Sequence, residues 1–145
     1  MSDTALLIID LQNDYFPGGA MELDGSDAAG KRASEALAAF RARKLPVFHV
    51  QHLSVRPGAT YFIPGTKGAE IHEGVRPAQS EAVVQKNFPN SFRATDVKQR
   101  LDAAGVKHLV VAGMMTHMCV DATVRQAFVS RAASIWYCAM WSASR

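Results

Sequence analysis

Three polar side chains follow apolar segments of this chain in a pattern that could support nucleophilic catalysis. Asp10 ends the first apolar run, Lys86 follows the third, and Cys119 comes shortly after the fourth. A thiol is a good nucleophile only once it is ionised, and a nearby cation or helix N-terminus lowers its pKa. We therefore expect Lys86 and a helix start to lower the pKa of Cys119. A carboxylate at Asp10 could then take up the thiol proton and return it to a leaving amine.

The elements that must position these side chains are predicted from hydrophobic periodicity. Four short apolar runs typical of buried parallel strands lie at residues 5–9, 46–50, 82–84 and 106–112. Amphipathic patterns predict helices at residues 26–44, 95–104 and about 117–128. Strands that alternate with helices predict an α/β fold, a doubly wound parallel sheet with helices on both faces. Since ligands bind at the carboxyl ends of such strands, the three side chains should lie at one site.

Each of the three residues also has a purely structural explanation. An Asp after a strand is often a turn or cap residue, and a single Lys there is usually a solvated charge. A free Cys is commonly an inert part of the core. Only the shared position at strand ends favours a catalytic role over these alternatives.

A long connection without clear periodicity lies between the second and third predicted strands. Residues 53–80 are rich in proline and glycine. A structureless segment of this length is unusual inside a compact domain, which favours a functional loop or lid. We expect the functional site to lie near it.

Four blocks of the sequence carry a resemblance to a known family. They are residues 5–16, 62–71, 86–92 and 110–120, and they include the segments Asp-Leu-Gln-Asn-Asp and Gly-x-x-Thr-x-x-Cys-Val. In order and spacing, the blocks resemble the isochorismatase-like cysteine hydrolases, whose members include nicotinamidases and N-carbamoylsarcosine amidohydrolases. The resemblance covers residues 5 to about 128. It implies the family's three-layer, Rossmann-type α/β fold.

The resemblance also implies functional residues. The positions that match the family's catalytic triad are Asp10, Lys86 and Cys119. The family's oxyanion hole consists of backbone N–H groups, which here would belong to Met115 and Cys119. A cis peptide bond usually shapes that hole, and it would fall between Met114 and Met115.

Two further side chains are candidates for substrate binding. Tyr15 matches an aromatic position that flanks the substrate in relatives such as nicotinamidases, although core packing is its alternative role. His52 would lie at the carboxyl end of the second strand and could border the substrate pocket. A purely structural histidine is an equal alternative. Nicotinamidases bind a cation through an Asp-x-His pair and a further His, but no Asp stands two residues before His52. A strand also points His49 and His52 to opposite faces, so we expect no metal and no cofactor.

The implied activity is hydrolysis of a C–N bond in a small amide, ureide or carbamoyl compound, through a thioester on Cys119. The thiol argues against true isochorismate cleavage, because relatives with that activity lack the cysteine. The expected partners are a small amide-type substrate and further copies of the same chain, since the family often forms oligomers. The alternative is a non-catalytic or defective member of the family that serves at most as an interaction subunit.

Composition narrows the function classes further. The chain has 145 residues, 48% of them apolar, and a net charge of +3. Residues 1–121 are charge-balanced, and the excess comes from Arg125, Arg131 and Arg145. Basic residues that are interleaved with acids argue against a nucleic-acid site. No apolar run is long enough to span a membrane and no secretory signal is recognisable, so we expect a cytoplasmic protein.

The C-terminal stretch departs from the family pattern. We expect residues 1–145 to form one hydrolase domain with an atypical tail at residues 129–145, in which a strand is possible at residues 135–138. Relatives usually continue with a glycine-containing turn and further elements, so a truncated or frameshifted product is a hypothesis for this tail. The last strands of the sheet would then be missing. The fourth predicted strand would be left with an apolar edge that promotes association.

Overall fold

A five-stranded parallel sheet runs through the computed structural model, which describes residues 3–129, 134–137 and 143–144. The strands of the protein, in chain order, are β1 (Thr4–Ile9), β2 (Leu23–Asp24), β3 (Val47–His52), β4 (Ala82–Lys86), β5 (His108–Gly113), β6 (Ser134–Tyr137) and β7 (Ala143–Ser144). The large sheet has the order β4-β3-β1-β5-β6, and β2 pairs with β7 in a separate antiparallel pair. All neighbours in the large sheet run parallel, as the alternating pattern predicts.

Helices cover both faces of this sheet, which confirms the predicted α/β class. They are α1 (Ser26–Ala42), α2 (Val97–Ala103) and α3 (Asp121–Val129). Helix α1 packs on one face through its buried apolar residues Ala29, Ala33 and Leu37. On the other face, α2 contributes Val97 and Leu101 to a second core. Within the described residues, none of the helices combines the length and apolar character needed to cross a lipid bilayer.

The central strand β1 feeds both cores because successive side chains of a strand point to opposite faces. Leu6 and Ile8 belong to the core under α1, whereas Ala5, Leu7 and Ile9 belong to the core under α2. All five are at most 2% exposed. Full burial of a Leu or Ile side chain contributes about 1.5–3 kcal/mol, so β1 is a major source of stability. It also holds its carboxyl end at a fixed position.

Two strands are longer than their apolar runs predict. Strand β4 continues to Lys86 and β3 continues to His52, and these two residues are register partners in the parallel ladder. Both strands end in polar residues, so a prediction based on apolar runs ends each strand too early. Lys86 is therefore the last residue of a strand rather than part of the following turn.

The edge of the fourth predicted strand, here β5, is not left unpaired. Strand β6 pairs with it in parallel, with His108 opposite Ser134 and Val111 opposite Tyr137. The expectation of an exposed apolar edge at this strand is therefore wrong. The possible strand at residues 135–138 is found one residue earlier, and its last predicted residue, Cys138, lies outside the described residues.

A partly buried polar cluster joins helix α1 to the sheet at the amino end of β4. Glu81 accepts two hydrogen bonds from the Arg41 guanidinium, at 2.7 and 2.8 Å, and one from His49 Nε2 at 2.8 Å. Burial lowers the pKa of His49, so the ring is neutral and donates its Nε2 proton to the carboxylate. Burial alone would raise the pKa of Glu81, but hydrogen bonds from Arg41, the Ala78 N–H and His49 hold it at about 2, against 4.5 for an ordinary Glu.

This cluster makes folding stability depend on pH in acid. A folded pKa below the unfolded value contributes stability that is present above pH 4.5 and is lost as pH falls towards about 2. We expect Glu81→Gln to lower the free energy of unfolding by about 2 kcal/mol at pH 7, since the buried carboxylate loses its charge-assisted hydrogen bonds. The difference between the variant and the wild type should be smaller near pH 3.

Urea unfolding at the two pH values measures this effect. Glu35→Gln is the matched control, because Glu35 pairs with Arg32 on the surface, with side chains 50% and 73% exposed. Exposed pairs of this kind contribute little to stability. An equal loss for Glu81→Gln at pH 7 and pH 3 would contradict the assigned role of the carboxylate.

Candidate active site

The three side chains singled out by the sequence meet at the carboxyl edge of the sheet. Asp10 directly follows β1, Lys86 ends β4, and Cys119 lies in a π-helical turn, Thr116–Val120, that leads into α3. Lys86 Nζ lies 2.7 Å from Asp10 Oδ2, and both side chains are 0% exposed. A carboxylate oxygen of Asp10, a ring nitrogen of His52 and Cys119 Sγ all lie within 4.8 Å of one another. The topology therefore brings together residues that are far apart in the chain.

Asp10 takes its position through an unusual backbone conformation. Its φ angle is 54°, in the left-handed region, which Asp and Asn tolerate better than other residues with a side chain. Its N–H donates to the Val50 carbonyl at 3.0 Å, so the residue is still held by β3. The Gln12 N–H donates to the Asp10 carbonyl at 3.0 Å, so the chain turns sharply after the strand.

The Lys86 ammonium is surrounded by acceptors. Besides Asp10, it contacts the carbonyls of Phe88 at 3.1 Å and Pro89 at 3.2 Å, and His52 Nδ1 at 3.1 Å. An ammonium has no lone pair, so His52 must accept at Nδ1 and carry its proton on Nε2. Burial lowers the pKa of His52, and the charges of Lys86 and Arg56 lower it further against the opposing effect of Asp10. The His52 ring is therefore neutral at pH 7.

The Cys119 thiol is protonated in the resting site. Burial raises its pKa to about 12, and the negative charge of Asp10 acts in the same direction, while Lys86 opposes both. Lys86 lowers this pKa, as expected, but burial and Asp10 together raise it by more, so the expected net decrease is wrong. The side chain is only 5% exposed, and Lys86 is already paired with Asp10, so little of its charge is left to stabilise a thiolate.

Two buried residues of the first sequence block fasten the long 53–80 connection over the site. The Gln12 side-chain oxygen accepts from the His52 N–H at 2.7 Å. Its amide nitrogen donates to the carbonyls of His52 at 2.9 Å and Ala69 at 2.7 Å. The Asp14 carboxylate accepts from the Phe62 N–H at 2.6 Å. Sequence analysis assigned no role to Gln12 or Asp14, because their partners lie about 40–60 residues away in the chain.

Gly68 completes this fastening because no larger residue fits its position. A Cβ atom on Gly68 would overlap the carboxylate of Asp14. The carboxylate of Asp14 therefore reaches the connection only because Gly68 has no side chain. The expected loop is thus an ordered wall of the site, with short 3₁₀ turns at Lys67–Ala69 and Glu73–Val75.

A second hydrogen-bonded group fixes the turn that carries Cys119. The Thr123 hydroxyl donates to the Cys119 carbonyl at 2.6 Å and lies 2.9 Å from the Ser91 hydroxyl. It also accepts from the Ser91 N–H at 3.0 Å. Both side chains are fully buried. This group joins the segment after β4 to the start of α3, so the ammonium and the thiol are held relative to each other.

A cavity of about 280 Å³ opens onto Cys119. The residues that line it are Tyr15, His52, Ser54, Val55, Arg56, Tyr61, Phe62, Asn87, Phe88, Pro89, Met115, Met118 and Cys119. All four residues expected at an oxyanion hole or a substrate position border it: Met115, Cys119, Tyr15 and His52. The peptide bond between Met114 and Met115 is cis, at the bond that the family resemblance indicates. The volume lies near the lower limit of ligand pockets, about 300 Å³, so the cavity suits a small molecule.

Tyr15 forms the aromatic floor of this cavity. The side chain is 1% exposed, and its ring packs edge-on against Phe62 with centroids 4.6 Å apart. Burial raises the pKa of Tyr15 and the charge of Asp10 raises it further, so the phenol keeps its proton. The same ring therefore packs in the core and borders the cavity.

The positions of Asp10, His52 and Cys119 bear on whether the site could bind a metal ion. Asp10, His52 and Cys119 are close enough to offer three ligand atoms to one ion. However, the Lys86 ammonium already contacts the Asp10 carboxylate and the acceptor nitrogen of His52. A metal cation would have to displace a buried ammonium, so the donor set fits Lys86 better than an ion. His49 is not part of the cluster, since its Nε2 bonds to Glu81.

Comparison with known proteins gives concordant matches. Residues 4–130 match the family model described as the Isochorismatase domain. The uncharacterized isochorismatase family protein YddQ of Bacillus subtilis (strain 168) is 54% identical over 124 residues, which cover 86% of this chain and 69% of that protein. The streptothricin hydrolase of Streptomyces noursei is 38% identical over 123 residues, which cover 85% of this chain and only 44% of that enzyme.

A solved structure of the same family superposes on this chain. The crystal structure assigned to an isochorismatase hydrolase from Oleispira antarctica superposes with a TM-score of 0.85 at 46% sequence identity. The match covers 92% of this chain and 71% of the other. Strands β1, β3, β4 and β5 and the segments that carry Asp10, Lys86 and Cys119 fall within the residues that the family model matches, whereas β6 lies beyond them.

Proposed function

Because the chain belongs to the isochorismatase family, we propose that it is a cysteine-dependent hydrolase that cleaves a C–N bond of a small amide, ureide or carbamoyl compound. One observation carries this proposal: a buried Asp10–Lys86 pair, 2.7 Å apart, adjoins a thiol that borders a small cavity. The name of a relative, streptothricin hydrolase, is consistent with hydrolytic chemistry. The proposed reaction passes through a thioester on Cys119.

The first half-reaction forms the thioester. Asp10 accepts the proton of the Cys119 thiol as sulfur attacks the carbonyl carbon, so that one S–C bond forms and the carbonyl oxygen becomes an oxyanion. The raised pKa of the thiol favours a transfer that is concerted with attack over a standing thiolate. Asp10 then gives this proton to the leaving nitrogen, the C–N bond breaks, and ammonia or an amine departs.

The second half-reaction releases the acid. Asp10, again ionised, takes a proton from a water molecule that attacks the thioester carbonyl. The S–C bond breaks and the sulfur recovers a proton from Asp10, which restores the resting thiol. The sum is one water consumed, with an acid and an amine released. Throughout, the Lys86 ammonium at 2.7 Å offsets the negative charge on Asp10 and on the departing sulfur.

The oxyanion needs donors where its charge develops. We assign this role to the backbone N–H groups of Met115 and Cys119, because both residues border the cavity beside the thiol. Preorganised donors of this kind contribute about 3–4 kcal/mol each to transition-state stabilisation. We assign to Tyr15 and His52 the positioning of the substrate, since the ring of Tyr15 and the neutral imidazole of His52 border the same space.

A panel of small amides, ureides and carbamoyl compounds tests the proposed activity. Ammonia or amine release should exceed the uncatalysed rate for at least one member of the panel. The chelator EDTA should leave that rate unchanged, because no step passes through a metal ion. An absence of turnover across the whole panel would favour the non-catalytic alternative.

The Asp10→Asn variant tests the role of Asp10 as the base, because it should change the reactivity of Cys119 and the rate of hydrolysis in opposite directions. Asp10 raises the pKa of Cys119 through its charge and its hydrogen bond, so the neutral amide should lower that pKa. Iodoacetamide should therefore label Cys119 faster than in the wild type near pH 8, while hydrolysis falls by about 10²-fold or more because no base remains.

Asp102→Asn serves as the control, since Asp102 pairs with Lys98 on the surface. Its labelling and turnover should match the wild type. In the wild type itself, the labelling rate should keep rising with pH above 9, as a thiol pKa of about 12 requires. Slower labelling in Asp10→Asn, or turnover close to the wild-type value, would remove Asp10 from its assigned role.

A further inference from the structure

Among the described residues that line the cavity, Arg56 is the one with a formal charge. The other polar side chains of the lining are hydroxyl, amide and imidazole groups, and a lowered pKa keeps the imidazole of His52 neutral: Tyr15, Tyr61, Ser54, Asn87 and His52. The lining contributed by the described part of the chain contains no Asp or Glu. The charge that an incoming molecule meets at the wall of the cavity is therefore positive.

The Arg56 guanidinium has no partner within the described part of the chain. Several other surface guanidinium groups form ion pairs, such as Arg100 with Asp96 and Arg125 with Asp121. Arg56 forms none with a described residue, and its backbone carbonyl accepts from the Ala59 N–H at 3.3 Å. Its donors are thus free to bind a molecule in the cavity.

The segment that carries Arg56 is held against the site. The Ser54 N–H donates to the Phe62 carbonyl at 2.8 Å, and the Phe62 N–H donates to the buried Asp14 carboxylate at 2.6 Å. Ser54, Arg56 and Phe62 all border the cavity. Arg56 therefore projects from a short loop whose two ends are fixed, which limits how far its charge can move from the thiol.

The charged groups behind the cavity lining do not cancel the positive charge of Arg56. Asp10 and Lys86 are both 0% exposed and form a neutral pair. The Arg93 guanidinium lies 3.8 Å from the centroid of the Phe88 ring, so a second cation backs an aromatic residue of the wall. The Asp14 carboxylate, which accepts from the Phe62 N–H behind the wall, offsets one of the two guanidinium groups. The sum over these described groups is still positive, beside a thiol that is neutral at rest.

We propose that the substrate carries a carboxylate remote from the bond that is cleaved, and that Arg56 binds this carboxylate. This inference rests on the proposed function and narrows its substrate class to anionic amides and ureides, such as N-carbamoyl amino acids. A guanidinium matches a carboxylate with two parallel N–H donors, whereas an ammonium offers only a point charge. Arg56 is thus a residue that determines specificity and takes no part in proton transfer.

Alkylation of Cys119 tests Arg56 without any need for turnover. Iodoacetate and iodoacetamide differ by one charge and little in size, so the ratio of their rate constants at Cys119 reports the potential in the cavity. Peptide mass spectrometry separates labelling at Cys119 from labelling at Cys138. We expect Arg56→Gln to lower the iodoacetate-to-iodoacetamide ratio by about tenfold, and Arg56→Lys to lower it less. Added salt should lower the wild-type ratio and leave that of Arg56→Gln almost unchanged.

Hydrolysis of a matched pair of substrates tests the same residue during turnover. An N-carbamoyl amino acid and its methyl ester differ only in the charge of the remote group. Arg56→Gln should lower kcat/KM for the acid by about tenfold, mainly through KM, and leave the ester unchanged. Arg43→Gln is the matched control, because Arg43 is exposed at the end of α1 and does not border the cavity.

The two measurements separate the possible failures. Unchanged alkylation ratios in Arg56→Gln overturn this inference, whatever the turnover. Hydrolysis of the ester and the acid at equal kcat/KM, with no effect of Arg56→Gln, also overturns it and leaves the proposed function standing. A tenfold change in alkylation ratio without hydrolysis of either compound supports the anion site and counts against the proposed function.

Discussion

Cys119→Ala should reduce the hydrolysis of any accepted amide by about 10³-fold or more, because without the sulfur no thioester can form. The loss should appear in kcat, since the cavity walls that bind the substrate remain in place. Cys119→Ser keeps the shape of the side chain but replaces the thiol with a far less acidic hydroxyl. It should therefore be nearly as inactive as the alanine variant.

The fold should survive this change, so that lost activity can be assigned to lost chemistry. Removal of one buried sulfur atom from a wall of an existing cavity costs about 1 kcal/mol, well below the stability of a domain. Circular dichroism and thermal unfolding check this point. Cys138→Ala, which removes the other thiol of the chain, is the control and should keep wild-type turnover.

Ammonia release from the best substrate of the panel is the measurement. A burst of amine equal to the enzyme concentration, followed by slower steady release, would support an acyl intermediate in the wild type. If Cys119→Ala retained more than a tenth of the wild-type rate, water activated directly by Asp10 would be the nucleophile. The thioester proposal would then have to be abandoned.

The parts of the site that could be predicted from sequence are those with local signatures. Asp10 and Cys119 follow apolar runs that fold as β1 and β5, and the parallel topology then places the ends of these strands side by side. Lys86 was predicted for the same reason, although it belongs to β4 itself. A periodic pattern identifies strands because burial on both faces requires continuous apolar residues.

The parts that could not be predicted depend on contacts between distant segments. Gln12 and Asp14 are polar residues in a turn, and nothing local indicates that they bind backbone groups of the 53–80 connection. The direction of the Cys119 pKa was predicted wrongly for a related reason. Proximity to Lys86 is implied by topology, but the depth of burial, which dominates the shift, is a property of the whole packed structure.

The second large effect concerns the Asp10–Lys86 pair, whose members are both 0% exposed and 2.7 Å apart. Lys86→Met should lower the free energy of unfolding by about 3–5 kcal/mol, because it leaves the Asp10 carboxylate buried without a counter-charge. Asp10→Asn should be destabilising for the converse reason. Asn is the appropriate replacement at this position, since it tolerates the left-handed backbone of residue 10, with φ at 54°.

The double variant Asp10→Asn/Lys86→Met should recover most of this loss, to within about 1–2 kcal/mol of the wild type, because a neutral pair in a buried site costs less than one unpaired charge. Urea unfolding of all four proteins gives the coupling energy. Lys98→Met is the control, since Lys98 is 46% exposed in its pair with Asp102 and should change stability by less than about 1 kcal/mol.

Among the wild type, the two single variants and the double variant, the rate of hydrolysis should not change in parallel with the free energy of unfolding. The double variant should fold almost as well as the wild type and yet hydrolyse nothing, since it lacks both the base and the ammonium that offsets its charge. That combination would indicate that the buried pair is retained for chemistry, because the fold alone is served nearly as well by neutral side chains. Activity that returned together with stability in the double variant would instead give Asp10 and Lys86 a structural role only.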